Sequence, residues 1–204
     1  MKQLLAITLL IIGVPAVSAQ KGGPDKPICS LTLAQFPGIG DLRLGLTAEQ
    51  VLALFPGSKE DPEVRASLSR PATALGASSL TIRPSRYRSK ERFAGVSQIM
   101  FSFLDGRVST FSIGYDGPEW PHVDKFVAKV AEGTNLPPAE AWEAYAGMET
   151  QLKVLKCSGF EIRVFAGGEG GNLNYVLMSD LVAARTLKER RAKARENARP
   201  EPKP

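Results

Sequence analysis

Reactive side chains are scarce in this chain. Its 204 residues include one histidine, His122, and two cysteines, Cys29 and Cys157. A Ser-His-Asp arrangement would depend on that single imidazole, and no G-x-S-x-G turn accompanies it. One histidine and a cysteine pair also fall short of the three or four nitrogen and sulfur ligands of an ordinary zinc site. The glycine-rich run AGGEGGN, from Ala166, lacks the Lys-Ser/Thr ending of a phosphate loop. It lies between two strand-like runs, whereas phosphate loops feed a helix N-terminus. No metal and no cofactor is expected, and no catalytic residue is assigned.

What is present begins with an address. Lys2, the run LLAITLLIIGV and Val17-Ser18-Ala19 supply a positive start, an apolar stretch and a small-residue cleavage pattern. Residues 1–19 are therefore expected to be a secretory signal. The apolar run is too short, and wrongly flanked, for a spanning helix. No cysteine follows the cleavage site directly, which argues against a lipid anchor there. The expected location is the periplasm or the medium. An oxidising compartment favours joining Cys29 to Cys157. That bond closes a loop of roughly 130 residues, worth up to roughly 5 kcal/mol in the chain-entropy model. The alternative, a catalytic thiol, has neither a C-x-x-C context nor a second histidine to support it.

The formal charge of +5 is unevenly placed. From Arg185 to Lys203 there are eight basic and three acidic residues, and the body without this tail is close to neutral. A second basic island, TIRPSRYRSKERF, carries Arg83, Arg86, Arg88, Lys90 and Arg92 around Tyr87. Patches of this kind, not bulk charge, steer a partner. On the tail, Arg185–Glu189 and Glu189–Lys193 stand at i,i+4 and are expected to pair. Past Leu187 the tail has no large apolar residue, so it is read as a solvated basic helix, with Arg190, Arg191, Lys193 and Arg195 available to an anionic surface. The competing reading is a helix that only solubilises.

The pattern of elements is mixed. Thr47 and Gln50 stand at capping-box spacing before Val51, Leu52 and Phe55, with Leu46 placed for a hydrophobic staple and Pro56-Gly57 as the stop. Asp61-Pro62 opens a second short helix through Leu68. Leu80 to Arg83 reads as a strand. In QIMFSFLDGRVSTFSIGY, a two-residue turn at Asp105-Gly106 would put Phe101 and Phe103 opposite Phe111 and Ile113. A three-residue loop, Leu104-Asp105-Gly106, gathers these side chains on one face, and burial favours it. A helix is expected from Pro121 to Glu132 and another from Pro137-Pro138 through Trp142 and Tyr145. In TQLKVLKCSGFEIRVFAGG, pairing Cys157 with Phe160 aligns Leu155 with Ile162 and Lys156 with Glu161. NLNYVLM adds a strand, and Asp180 opens the charged C-terminal helix, with PEPKP as a disordered end.

Runs of strands separated by single helices favour α+β with antiparallel sheet and helices on one face. The expected layout is a lead-in over 20–41 tethered by Cys29, one domain over 42–182 and a basic extension over 183–204. Within the domain, the order fits two degenerate α-β-β-β halves, 42–117 and 118–182.

The strand-like LRLGL, the capped TAEQVLALFPG helix and the hairpin after it resemble the exported helix-helix-sheet domains of the outer-membrane-assembly lipoprotein BamE and of β-lactamase inhibitor proteins. The resemblance covers Leu42 to Tyr115, with a possible second copy from Pro121 to Met178. It implies an exported, non-catalytic interaction module. The lipobox cysteine of BamE-type proteins is missing here, and no inhibitor contact residue carries over. The expected function is thus binding to a protein or anionic component of the bacterial envelope, with no nucleic-acid partner once the chain is exported. The alternative is a secreted, glycan-active hydrolase using carboxylates around Asp116 and Glu119, with Trp120 and His122 nearby. On the binding reading, Trp120 and His122 join the basic residues as candidate contacts. Protein recovered from the envelope should begin at Gln20 and gain two hydrogens in mass on reduction; two free thiols would refute the staple.

Overall fold

The computed structural model describes residues 29–35, 38–88, 91–117, 120, 122–132, 134–167 and 174–198. The predicted signal, residues 20–28 of the lead-in, most of the glycine-rich loop, Lys90, Glu119 and the PEPKP end lie outside them.

Period-2 apolar patterning produces strands β1 (Ala77–Ile82), β2 (Val96–Leu104), β3 (Arg107–Tyr115), β4 (Glu143–Ala144), β5 (Leu152–Lys156), β6 (Phe160–Ala166) and β7 (Asn174–Asp180). Helices α1 (Ala48–Ala53) and α2 (Pro62–Leu68) precede β1, α3 (Val123–Ala131) precedes β4, and α4 (Leu181–Asn197) follows β7. All seven strands form one antiparallel sheet in the order β1-β2-β3-β7-β6-β5-β4. The chain is α+β, as its element order predicts. Two meanders, β1-β2-β3 and β5-β6-β7, abut through β3 and β7, so the first predicted half contributes three strands to the shared sheet and the second contributes four, the short β4 lying at the edge.

The β2–β3 hairpin departs from expectation in an instructive way. Leu104 pairs directly with Arg107, leaving a two-residue turn in which both Asp105 (φ 51°) and Gly106 (φ 76°) are left-handed. This is the turn that Asp-Gly favours, not the three-residue loop. The conflict over faces is resolved further along. Phe103 pairs with Val108 but Ser102 pairs with Thr110, so Ser109 is an extra, bulged residue. One inserted residue exchanges the faces of everything beyond it. Phe101, Phe103, Val108, Phe111 and Ile113 therefore share the inner face, all at least 96% buried.

The inner face continues through Leu80, Ile82, Val176, Met178, Ile162 and Leu155, and is closed by Val51, Leu52 and Phe55 of the first helix, Val64 of the second and Val123, Phe126 and Val127 of the third. The capping box forms as predicted: Thr47 Oγ1 accepts from Gln50 N at 3.3 Å, and Gln50 Oε1 accepts from Thr47 N at 2.9 Å. Asp61 caps α2 by accepting from Glu63 N at 2.8 Å. The second hairpin has the predicted register, with Leu155 opposite Ile162 and Lys156 opposite Glu161. Cys157 is buried and joined to Cys29, their Cα atoms 4.6 Å apart, and Cys29 N donates to Lys156 O. The staple pins the lead-in beside β5.

Three expected elements differ. LRLGL is not a strand: left-handed Gly40, Asp41 and Gly45 fold it into turns, with only an isolated Ile39–Leu42 bridge, although Leu42 and Leu44 stay buried. The helix after Gly117 starts at Val123, with His122 as an N-cap that makes no side-chain bond. The helix expected from Pro137 is a single 3-10 turn, Ala139–Ala141, followed by β4. There Trp142 Nε1 donates to Pro137 O at 3.0 Å and Lys153 Nζ donates to Ala139 O at 3.2 Å, drawing the segment onto the sheet.

Deleting Ser109 should leave a regular, unbulged hairpin with Phe111 and Ile113 still on the inner face, so cooperative unfolding followed by circular dichroism should survive; its loss would refute the bulge assignment. Ser109→Ala, which removes only the Oγ bond to Ser102 O, should cost about 1 kcal/mol or less.

Candidate functional site

The candidate contact residues fall into three settings. In the first basic island the arginines are engaged within the protein. Arg83 Nη1 lies 2.9 Å from Glu63 Oε2, and Arg86 Nη1 lies 3.2 Å from Glu63 Oε1 and 3.5 Å from Asp61 Oδ2. Arg92 pairs with Asp41 and stands over the Phe93 ring. Tyr87 is buried against Phe55 and donates from its hydroxyl to Asp61 Oδ2 at 2.9 Å. That hydrogen bond, with the α2 backbone donors and Arg86, holds the Asp61 carboxyl below its usual pKa despite the opposing effect of burial. Burial first, and then Asp61, push the Tyr87 phenol up to about 12. The island is a brace between α2 and the loop after β1. Arg88 is exposed beside it, and Lys90 lies outside the described residues.

The second setting is the segment around Trp120. Trp120 stacks on Phe126 with centroids 5.5 Å apart, and Tyr115 meets the same ring edge-on at 5.4 Å. Trp142 is 3% exposed. Trp120, Tyr115 and Trp142 are thus engaged in packing around α3. Asp116 and His122 are exposed at opposite ends of this link, and Glu119 lies outside the described residues. The nearest depression, of about 500 Å³, is lined by the Ile39–Asp41 turn, Tyr115 and Phe126 with Lys129 and Glu132 of α3, and by neither Asp116 nor His122. Lys129 and Glu132 are themselves an ion pair. Among the described residues, no group of three His, Cys, Asp or Glu side chains is placed to hold a metal ion.

The third setting is α4, which is more than a projecting tail. Asp180 caps it, with Oδ1 accepting from Val182 N at 2.8 Å and Ala183 N at 3.0 Å, so the helix continues directly from β7 across the boundary expected at residue 183. No residue of α4 is buried, but Ala183, Leu187 and Arg190 are half-buried along one side. Arg190 is the fastener: its two terminal nitrogens each lie 2.8 Å from an oxygen of Asp105, and Nη1 also donates to Leu75 O at 2.9 Å. This is the bidentate geometry that makes Arg–carboxylate pairs specific. The expected Arg185–Glu189–Lys193 ladder does not form; among the described residues Arg190–Asp105 is the one ion pair of α4.

Fastened there, α4 lies along the outer face of the sheet, the face opposite the three short helices. Between them runs a groove of about 510 Å³, walled by Leu187, Lys188, Arg191 and Arg195 and floored by Ser102, Ser109 and Thr110. Further along the same face a shallower depression of about 340 Å³ is lined by Gln98, Met100, Ser112, Gly114, Tyr175 and Leu177. Met100 is 47% exposed in the middle of a central strand. Register places it beside Ser112 and Leu177, and places Gly114 beside Tyr175, which stacks on Phe165 at 5.1 Å. Gly114 gives the depression its depth by lacking a side chain, as strand glycines do where another chain approaches closely.

Sequence reasoning missed this face. The available signal was the run of small or polar outward positions in β2 and β3, interrupted by Met100 and Leu104. No family model, no curated protein and no solved structure matches the chain.

Tyr87→Phe should cost roughly 1.5 kcal/mol at neutral pH, measured by urea unfolding. Because the folded-state pKa of Asp61 is depressed, the bond's contribution is complete above the unfolded value, about pH 4, and is lost as pH falls through the folded value. The gap between the two proteins should therefore narrow steadily below about pH 4.

Proposed function

We propose that this protein is an exported, non-catalytic binding module of the bacterial cell envelope that receives a partner protein on the outer face of its sheet. The observation carrying this reading is the exposed apolar centre of that face, with Met100 open beside the bare backbone of Gly114 and flanked by Tyr175 and Leu177. Met100, Tyr175 and Leu177 are grouped on an outward face that is otherwise polar, and a grouped apolar patch rimmed by polar residues is the kind of surface on which a partner docks. The lead-in stapled through Cys29 fits life outside the cytosol, where the bond persists. The hydrolase alternative gains no support from the geometry, since Asp116 and Trp120 converge on no common pocket described above.

Met100→Glu tests the proposal. The substitution sits on an exposed position and should change stability by about 1 kcal/mol or less. Immobilised wild-type protein should retain a defined envelope protein that Met100→Glu fails to retain. Equal retention by both proteins would remove the sheet face from the account.

A further inference from the structure

The groove between α4 and the sheet allows the partner's chemistry to be named, on the footing of the binding reading above. Of the six basic residues on α4, Arg190 is held by Asp105. Lys188, Arg191 and Arg195 face the groove, and none has an ion-pair partner among the described residues. Their spacing, i, i+3 and i+7, sets them in one stripe about 10 Å long at the helical rise of 1.5 Å per residue. The floor offers nothing to neutralise them. The nearest outward row runs Ser79, Ser102, Thr110, Ser179 and Glu161, and the one acid in it is taken by Arg163 at 2.6 Å. Three cations thus stand within about a Debye length of one another, opposite hydroxyl groups and with no ion-pair partner among the described residues.

We infer that this groove takes an extended acidic segment of a partner protein, with its carboxylates on Lys188, Arg191 and Arg195. Its intervening apolar side chains run on toward Met100 and Leu177. The cations are spread along a line, so a single inorganic anion meets only one or two of them, whereas an extended chain passes all three. They face the sheet across a trench, so a flat bilayer surface does not reach them together. The floor next to them is Ser, Thr and then Met, which suits a polypeptide laid along a sheet better than bases that need aromatic stacking.

The test uses the full chain as recovered after export and a fluorescein-labelled peptide of about twelve alternating Glu and Leu residues. Fluorescence anisotropy should report binding that weakens about tenfold in R191E/R195E and falls as salt rises from about 0.05 to 0.3 M. The matching Lys-Leu peptide should not bind. Both substituted residues are exposed and unpaired, so thermal unfolding of the double variant should coincide with wild type. Unchanged peptide binding by R191E/R195E overturns the inference. So does arginine-dependent binding of inorganic phosphate, or of phosphatidylglycerol vesicles, with none of the peptide. Envelope capture separates the two readings: a partner lost by Met100→Glu but kept by R191E/R195E removes the groove and leaves the sheet face. A partner kept by both removes both.

Discussion

The β2–β3 hairpin must satisfy two demands that oppose each other, and the arrangement of the rest of the protein follows from how it does so. Asp105-Gly106 is chemistry for a tight two-residue turn, whereas the aromatic side chains on either side of it lie out of phase for that turn. Ser109 restores the phase by standing outside the ladder. With Phe101, Phe103, Phe111 and Ile113 committed to one side, three short helices have a dry surface to close, and none is long enough to persist without it. The other side inherits serines, threonines, a glycine and Met100. The open face is thus a by-product of the same register that makes the core.

Charge divides along the same lines. In the first half, guanidinium groups hold α2 and the turns around it to the sheet, and Lys153 performs a similar task in the second half, 2.6 Å from Asp124 of α3. Such groups raise local basicity in the sequence without raising the availability of positive charge at the surface. The helix at the C-terminal end does the opposite, keeping three cations without partners next to the open face. Composition alone does not separate these two uses of arginine.

How much could be read beforehand followed the range of the interaction. The capping box, the Asp61 cap, the Cys157–Phe160 pairing and the α+β class rest on neighbours a few residues apart, and they could be read from the sequence. The disulfide was legible because there was only one pair to form. LRLGL was misread because its alternation of apolar residues describes burial, which turns can also deliver once Gly40, Asp41 and Gly45 go left-handed. The ion pairs of the basic island were not legible because the acids that meet it, Asp61 and Glu63 at α2 and Asp41 in its turn, are distant in sequence. Arg190 meets Asp105 across 85 positions, so the placement of α4 had no local signature at all. The candidate surface was hidden for a further reason: a binding face is defined by what does not cover it, and only the assembled sheet reveals that.

Gly76 sits where Asp105 and Arg190 meet, and a Cβ there would stand 2.8 Å from Arg190 Nη1 as well as colliding with the Asp105 carboxylate. The loop Leu75–Gly76 never touches the groove, yet a side chain at 76 would push into the Asp105 carboxylate and the Arg190 guanidinium and loosen the contact that fastens α4. Variation in a plain surface loop more than a hundred positions upstream therefore bears on how firmly α4 is held to the sheet, while every residue that lines the groove stays the same.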